Sequence, residues 1–162
     1  GLVMELIPST YGNLGLPPSL KTCTRDTFEA NTAFSIAEIL KITHQMSTTL
    51  AHLHKNQVSH GDIYAHNTMI NSDCDMLFGD FGAATDLSSL TSIQQEAIES
   101  IEVRAFGCLL DDLLSLHNGD CSVTKKLTSI KDDCMQTALP LRPRFVEINT
   151  LLMQLSNQTL TA

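Results

Sequence analysis

The fold is decided by Val58-Ser59-His60-Gly61-Asp62-Ile63-Tyr64-Ala65-His66-Asn67-Thr68-Met69-Ile70 and the nearby Asp75-Met76-Leu77-Phe78-Gly79-Asp80-Phe81-Gly82. Residues 68–70 and 75–78 are apolar pieces of strand length, and Asn71-Ser72-Asp73 between them has a turn composition. The window therefore predicts a small hairpin with a loop on either side, which brings Asp62, Asn67 and Asp80 to one mouth. A carboxylate there can orient a hydroxyl and accept its proton. An Asp carboxylate and an Asn amide oxygen are hard donors of the kind that hold Mg²⁺ beside a polyphosphate. These are the groups that phosphoryl transfer would demand of such a window.

Moving outward, Ser35-Ile36-Ala37-Glu38 reads as a capping box, in which hydroxyl and carboxylate satisfy free amide donors reciprocally. Ile36, Ile39, Leu40, Thr43, Met46, Leu50 and Leu53 follow at helical spacing as one core stripe. Ser92-Ile93-Gln94-Gln95 predicts a second capped helix, apolar on two sides: Ile98, Ile101, Ala105, Leu109 and Leu113 on one, Val103, Phe106, Leu110 and Leu114 on the other. Such a helix should run through the middle of the molecule. Two more helices are expected near 123–136 and 144–155. Residues 2–7 are strand-compatible up to Pro8, and 9–32, rich in Pro, Gly, Ser, Thr and Asn, read as loop. The fold class is mostly α with a small β-hairpin.

The chain has 162 residues, 43% of them hydrophobic, enough for one domain or one large lobe of a two-lobed enzyme. No apolar run reaches the roughly 18–20 residues of a membrane span, so no membrane partner is expected. A net charge of −8 makes nucleic acid a poor partner. The five cysteines form no C-x-x-C pair, which argues against zinc and against a disulfide framework and fits reduced thiols in the cytoplasm. His60 reads as a structural residue of its loop. His52 and His54 read as partly exposed, and His44 and His117 as solvated. The Asp111-Asp112 and Asp132-Asp133 pairs read as solvated helix faces.

His-x-Asp-x-x-x-x-Asn, a hairpin and Asp-Phe-Gly together resemble the catalytic core of the protein kinase superfamily. Nearly the whole chain takes part. Glu102 to Leu110 is similar to the long central helix, with Glu102 where Asp is usual. Leu141-Arg142-Pro143 is similar to the Arg-Pro segment near the domain's end. In wording, His60 to Asn67 and Gly79 to Ala84 look most like bacterial kinases often joined to leucine-rich repeats. The resemblance implies a kinase-like C-terminal lobe (α+β) over 9–162, with 1–8 as the remnant of a hinge strand and the N-terminal lobe missing. It also implies ATP and Mg²⁺ as cofactors and a protein Ser/Thr substrate. The implied catalytic residues are Asp62 and Asn67, with His66 in a supporting place. Met4, Glu5, Ile7 and Met69 would meet the adenine, and Asn67 and Asp80 the metal.

The departures from the family pattern are specific. Gly61 stands where Arg is usual, so the basic receptor for a phosphorylated activation loop is missing. Tyr64 replaces the Lys that steadies the γ-phosphate, and His66 is a weak substitute for that cation when protonated. No Ala-Pro-Glu follows Asp80, which leaves Arg142 without its family partner; Glu96, Glu99 and Glu102 are the candidates. The short span between Leu116 and Arg142 implies a shortened or absent substrate-docking helix. No glycine-rich loop and no strand Lys with its Glu partner occurs. A lobe without these is expected to be inactive alone, and a pseudokinase module or a small-molecule phosphotransferase are the alternatives.

Overall fold

The computed structural model describes residues 5–160. Its first helix, α1 (Ile36–Lys55), begins at the expected box: Ser35 Oγ accepts from Glu38 N–H (3.2 Å), and Glu38 Oε2 accepts from Ser35 N–H (2.7 Å). The predicted stripe is the buried face, with Ile42 and Ser47 added to it. α1 packs mainly on α4 (Phe145–Leu160), while α2 (Ser92–Ser115) packs on α3 (Ser122–Cys134).

The second capping box is one residue earlier than expected. Thr91 is the N-cap and Gln94 its partner, because the Gln95 amide turns back to the Leu87 and Leu90 carbonyls (2.7 and 3.2 Å) and leaves no box at Ser92. Only the second half of α2 is enclosed: Val103, Phe106, Leu109, Leu110 and Leu113 are buried, whereas Ile101 is 60% exposed. Fully burying such side chains contributes about 1.5–3 kcal/mol each, and the Phe106 and Phe145 rings meet edge to face at 5.6 Å in the middle of this core. Gly107 sets how closely α2 and α3 approach, since a Cβ there would sit 2.9 Å from Cys134 Cβ and Met135 Cγ.

The expected hairpin forms from β3 (Thr68–Ile70) and β4 (Met76–Phe78), in register Thr68 with Phe78 and Ile70 with Met76. Within the 9–32 stretch, where loop is expected, a two-residue strand, β1 (Gly12–Asn13), pairs antiparallel with β3. A separate ladder joins β2 (Val58–Ser59) to β5 (Thr85–Asp86). Residues 5–8 belong to no strand and are exposed, and residues 1–4 of the expected hinge strand lie outside the described residues. No helix among the described residues is long and apolar enough to cross a membrane.

Several polar residues sit in tighter surroundings than expected. Arg25, from the 9–32 loop, pairs with Asp111 (2.7 Å) and with both oxygens of Asp112, so these aspartates are a clamp rather than a solvated face. The His54 side chain is 9% exposed and bonds Glu102. His117 Nδ1 lies 3.0 Å from the Phe34 carbonyl oxygen, and the side chain is half-buried. Arg142 finds no carboxylate among the described residues: Nε donates to the Gln136 carbonyl (2.7 Å) and Nη1 to the Ser100 carbonyl (2.9 Å), while Glu96 pairs with Arg144 (2.9 Å).

Candidate active site

The loop between β2 and β3 carries His60, Asp62, Tyr64, His66 and Asn67. Its framework is the buried His60 ring. Nδ1 accepts from Asp62 N–H (3.3 Å), so Nε2 carries the hydrogen and donates to the Gly79 carbonyl (2.9 Å). The ring stacks on Phe78 at 4.0 Å and leans on Phe81 at 4.7 Å. One neutral imidazole thereby ties the loop bearing Asp62 to the segment bearing Asp80. The Asn67 carbonyl adds a second tie by accepting from Gly79 N–H (2.9 Å). The structural reading of His60 is the one the fold uses.

Asp62 and Asn67 meet directly. Both hydrogens of the buried Asn67 amide go to Asp62, one to its carbonyl (3.0 Å) and one to Oδ2 (2.7 Å). Asp62 Oδ1 is left without a partner among the described residues, on a half-buried side chain, and can accept from an incoming hydroxyl. Asn67 Oδ1 is likewise left as a hard oxygen donor. Asp80 is exposed and left-handed (φ 54, ψ 67), a conformation that costs a non-glycine residue roughly 1–2 kcal/mol. Its Oδ1 accepts from Gly82 N–H (3.2 Å), so the turn fixes the carboxylate's direction. Among the described residues no group of three or more His, Cys, Asp or Glu side chains forms a metal cage. One carboxylate and one amide oxygen nevertheless fit Mg²⁺, which keeps several waters and shares its shell with phosphate oxygens.

Gly61, between His60 and Asp62, has φ +82, and a Cβ built on it would lie 2.5 Å from the Ala83 carbonyl oxygen. Its N–H donates to Glu102 Oε1 (2.6 Å), and the other oxygen of this buried carboxylate lies 2.7 Å from His54 Nε2. Glu102 thus anchors the loop from the central helix. The segment after Asp80 is held by the β2–β5 ladder, by Leu87 N–H on the Gln57 carbonyl (2.7 Å) and by burial of Leu87.

His66 is not poised alone as a cation; its ring stacks on Tyr64 at 5.3 Å. Burial, and then the nearby Asp62 and Asp26 charges, push the Tyr64 hydroxyl up, so it stays a neutral phenol. Met69 is half-buried in β3. Glu5 and Ile7 are exposed and outside any strand, and Met4 lies outside the described residues.

Sequence reasoning missed Asp26. Its Oδ1 accepts from Ala65 N–H (2.8 Å), its own N–H donates to Asp112 Oδ2 (3.2 Å), and burial raises its carboxyl above the usual range. The only local signal was an Arg-Asp pair inside a polar loop.

The protein-family model described as Protein kinase domain matches residues 3–104. Serine/threonine-protein kinase PrkC of Bacillus subtilis is 42% identical over 62 residues, which is 38% of this chain and 10% of that protein. The chain spans about a tenth of the length of this curated relative.

Proposed function

The chain belongs to the protein kinase domain family, and from that premise we propose that it is the C-terminal lobe of an enzyme that phosphorylates Ser or Thr of proteins from ATP. The observation that carries this reading is the Asn67 amide on Asp62 Oδ2 at 2.7 Å, which leaves the second carboxylate oxygen to orient a substrate hydroxyl and accept its proton. Asn67 Oδ1 and Asp80 would hold Mg²⁺ against the ATP phosphates, with Met69 under the adenine. His66 adds a weak positive charge nearby when protonated. The reading takes residues 9–162 as the lobe and expects an N-terminal lobe upstream in the same chain to supply the remaining phosphate contacts. Positioning provides most of the rate in phosphoryl transfer, so residues 1–162 alone should turn over negligibly.

The test is a pair of substitutions in the full-length protein. Asp62→Asn should keep Mg-ATP affinity and lose most of the turnover, because only the hydroxyl's acceptor is changed. Asp80→Asn should lose Mg²⁺-dependent nucleotide binding in calorimetry. Unchanged affinity in the Asp80 variant would undo its assignment. Tyr64, a neutral phenol where the family places Lys, favours a second reading as a non-catalytic module of the same fold. Wild-type full-length protein that binds Mg-ATP and transfers no phosphate to any protein substrate would favour that reading.

A further inference from the structure

A cavity of about 280 Å³ opens directly beside Asp62, between the catalytic loop and the 22–27 segment. Asp26, Asp62, Tyr64 and His66 line it together with the apolar Leu16 and Pro18. Its wall is built, not draped. Asp26 holds the catalytic loop through Ala65 N–H at 2.8 Å, and Asp112 on α2 holds the Asp26 backbone N–H at 3.2 Å. Arg25 also lines the cavity, but its charge is spent on Asp111 and Asp112, both of which it bonds. The carboxylates of Asp26 and Asp62 therefore face the space with only the shared Arg25 and the His66 ring as nearby positive partners.

We infer that this cavity seats one basic side chain, Arg or Lys, of the protein substrate, next to the hydroxyl presented to Asp62. The inference rests on the protein kinase reading above. A long basic side chain matches the lining along its whole length. Its methylenes meet Leu16 and Pro18, its cation meets the Asp26 carboxylate, and the Tyr64 ring offers an aromatic face to the same charge. Burial, and then the Asp112 charge, raise the Asp26 carboxyl against the opposing pull of the Ala65 N–H, His66 and Arg25, and an arriving cation relieves the burial cost. A chain of net charge −8 also draws basic peptides to itself before contact. An acidic or phosphorylated side chain would meet two carboxylates and is excluded.

The experiment uses the full-length protein and a Ser peptide in which Arg, Gln or Glu is placed at each flanking position in turn. The expected result is one position at which Arg exceeds Gln in kcat/KM by about tenfold, the scale of one charge-assisted contact in a partly solvated site, with Glu below both. Asp26→Asn should bring the Arg-to-Gln ratio close to one, whatever it does to the absolute rate. Active enzyme with a flat ratio at every position overturns the inference and leaves the kinase reading standing.

A second measurement needs neither phosphate transfer nor a substitution. Cys23 is exposed and lines the cavity, whereas Cys121 is exposed outside it. The Arg peptide should slow thiol modification of Cys23 and not of Cys121, and the Gln peptide should slow neither. Equal rates at Cys23 with the two peptides overturn the inference. Protection of Cys23 in a protein that phosphorylates nothing sustains the cavity assignment while removing the kinase reading.

Discussion

Replacing Gly61 by Ala tests the claim that the loop between β2 and β3 is built around a missing side chain. Gly61 has φ +82, and an L-residue held there costs about 1–2 kcal/mol. The new Cβ would also stand 2.5 Å from the Ala83 carbonyl oxygen and 3.0 Å from both Ala83 C and Cβ. None of these atoms is the end of a flexible side chain. The backbone must move instead, and Ala83 lies just before Thr85, whose strand β5 pairs with β2. Loosening one such backbone hydrogen bond adds about 0.5–1.5 kcal/mol. The sum is about 1.5–3.5 kcal/mol, and at about 2–4 °C per kcal/mol for a chain of this size the midpoint should fall by about 3–14 °C. Thermal melts followed by circular dichroism read this directly, with Gly79→Ala as the internal control. At Gly79 the nearest atom to a Cβ is the Asn67 carbonyl oxygen at 3.8 Å, so that variant should stay within about 0.5 kcal/mol of wild type. A Gly61→Ala protein melting within about 2 °C of Gly79→Ala would refute the reasoning. If the loss is as large as worked here, the position could not take the family's usual Arg without rebuilding the segment after Asp80.

His54→Ala removes one of the two partners of the Glu102 carboxylate, which is 4% exposed, and should cost about 2–3 kcal/mol in urea unfolding, with His54→Gln recovering part of it; an unchanged midpoint would show that the pair is not needed. Burial pushes the Cys134 thiol up from 9.0 to about 12, so the folded protein keeps a proton that the unfolded chain releases near 9. The stability this contributes is complete below about pH 9 and lost as pH rises towards 12. Wild type should therefore lose stability faster than Cys134→Ala between about pH 9 and 11, and parallel slopes would contradict it. Phosphate on Thr85, Ser88, Ser89 or Thr91 has no Arg at position 61 to meet, and the β2–β5 ladder already orders the segment, so phosphatase-treated full-length protein should keep its activity. Loss on treatment with recovery on rephosphorylation would sink that expectation; the variant with all four changed to Ala should lose only about 1 kcal/mol of stability, from the Thr91 cap.

What was legible in the sequence is local. The Ser35 box, the α1 stripe, the 68–78 hairpin and the contact of Asn67 with Asp62 all lie within a few residues of their partners, where periodicity and turn chemistry act. The Thr91 cap slipped by one residue because Thr91-Ser92-Ile93-Gln94-Gln95 contains two overlapping boxes. Only the path of the Gln95 amide back to Leu87 chooses between them.

The misreadings share a different cause. His54 and Glu102 are 48 residues apart, Asp26 and Ala65 are 39 apart, and Arg25 is 87 from Asp112. In each case the local pattern was read correctly as polar. Asp112 sits off the apolar face of α2, as helical spacing says it should, and a carboxylate off the apolar face is solvated unless something covers it. The cover comes from a loop whose own composition predicts only irregular structure. A loop without periodicity carries no local record of the surface it will lie on, so neither the Arg25 clamp nor the Asp26 wall could be read before α2 and the β2–β3 loop were in place. The two residues of that loop that reach farthest, Arg25 and Asp26, are also the ones that shape the cavity beside Asp62. Asp62, Asn67 and Asp80 were written in one short window, and the loop residues that wall the cavity beside Asp62 were written where only the tertiary fold gives them meaning.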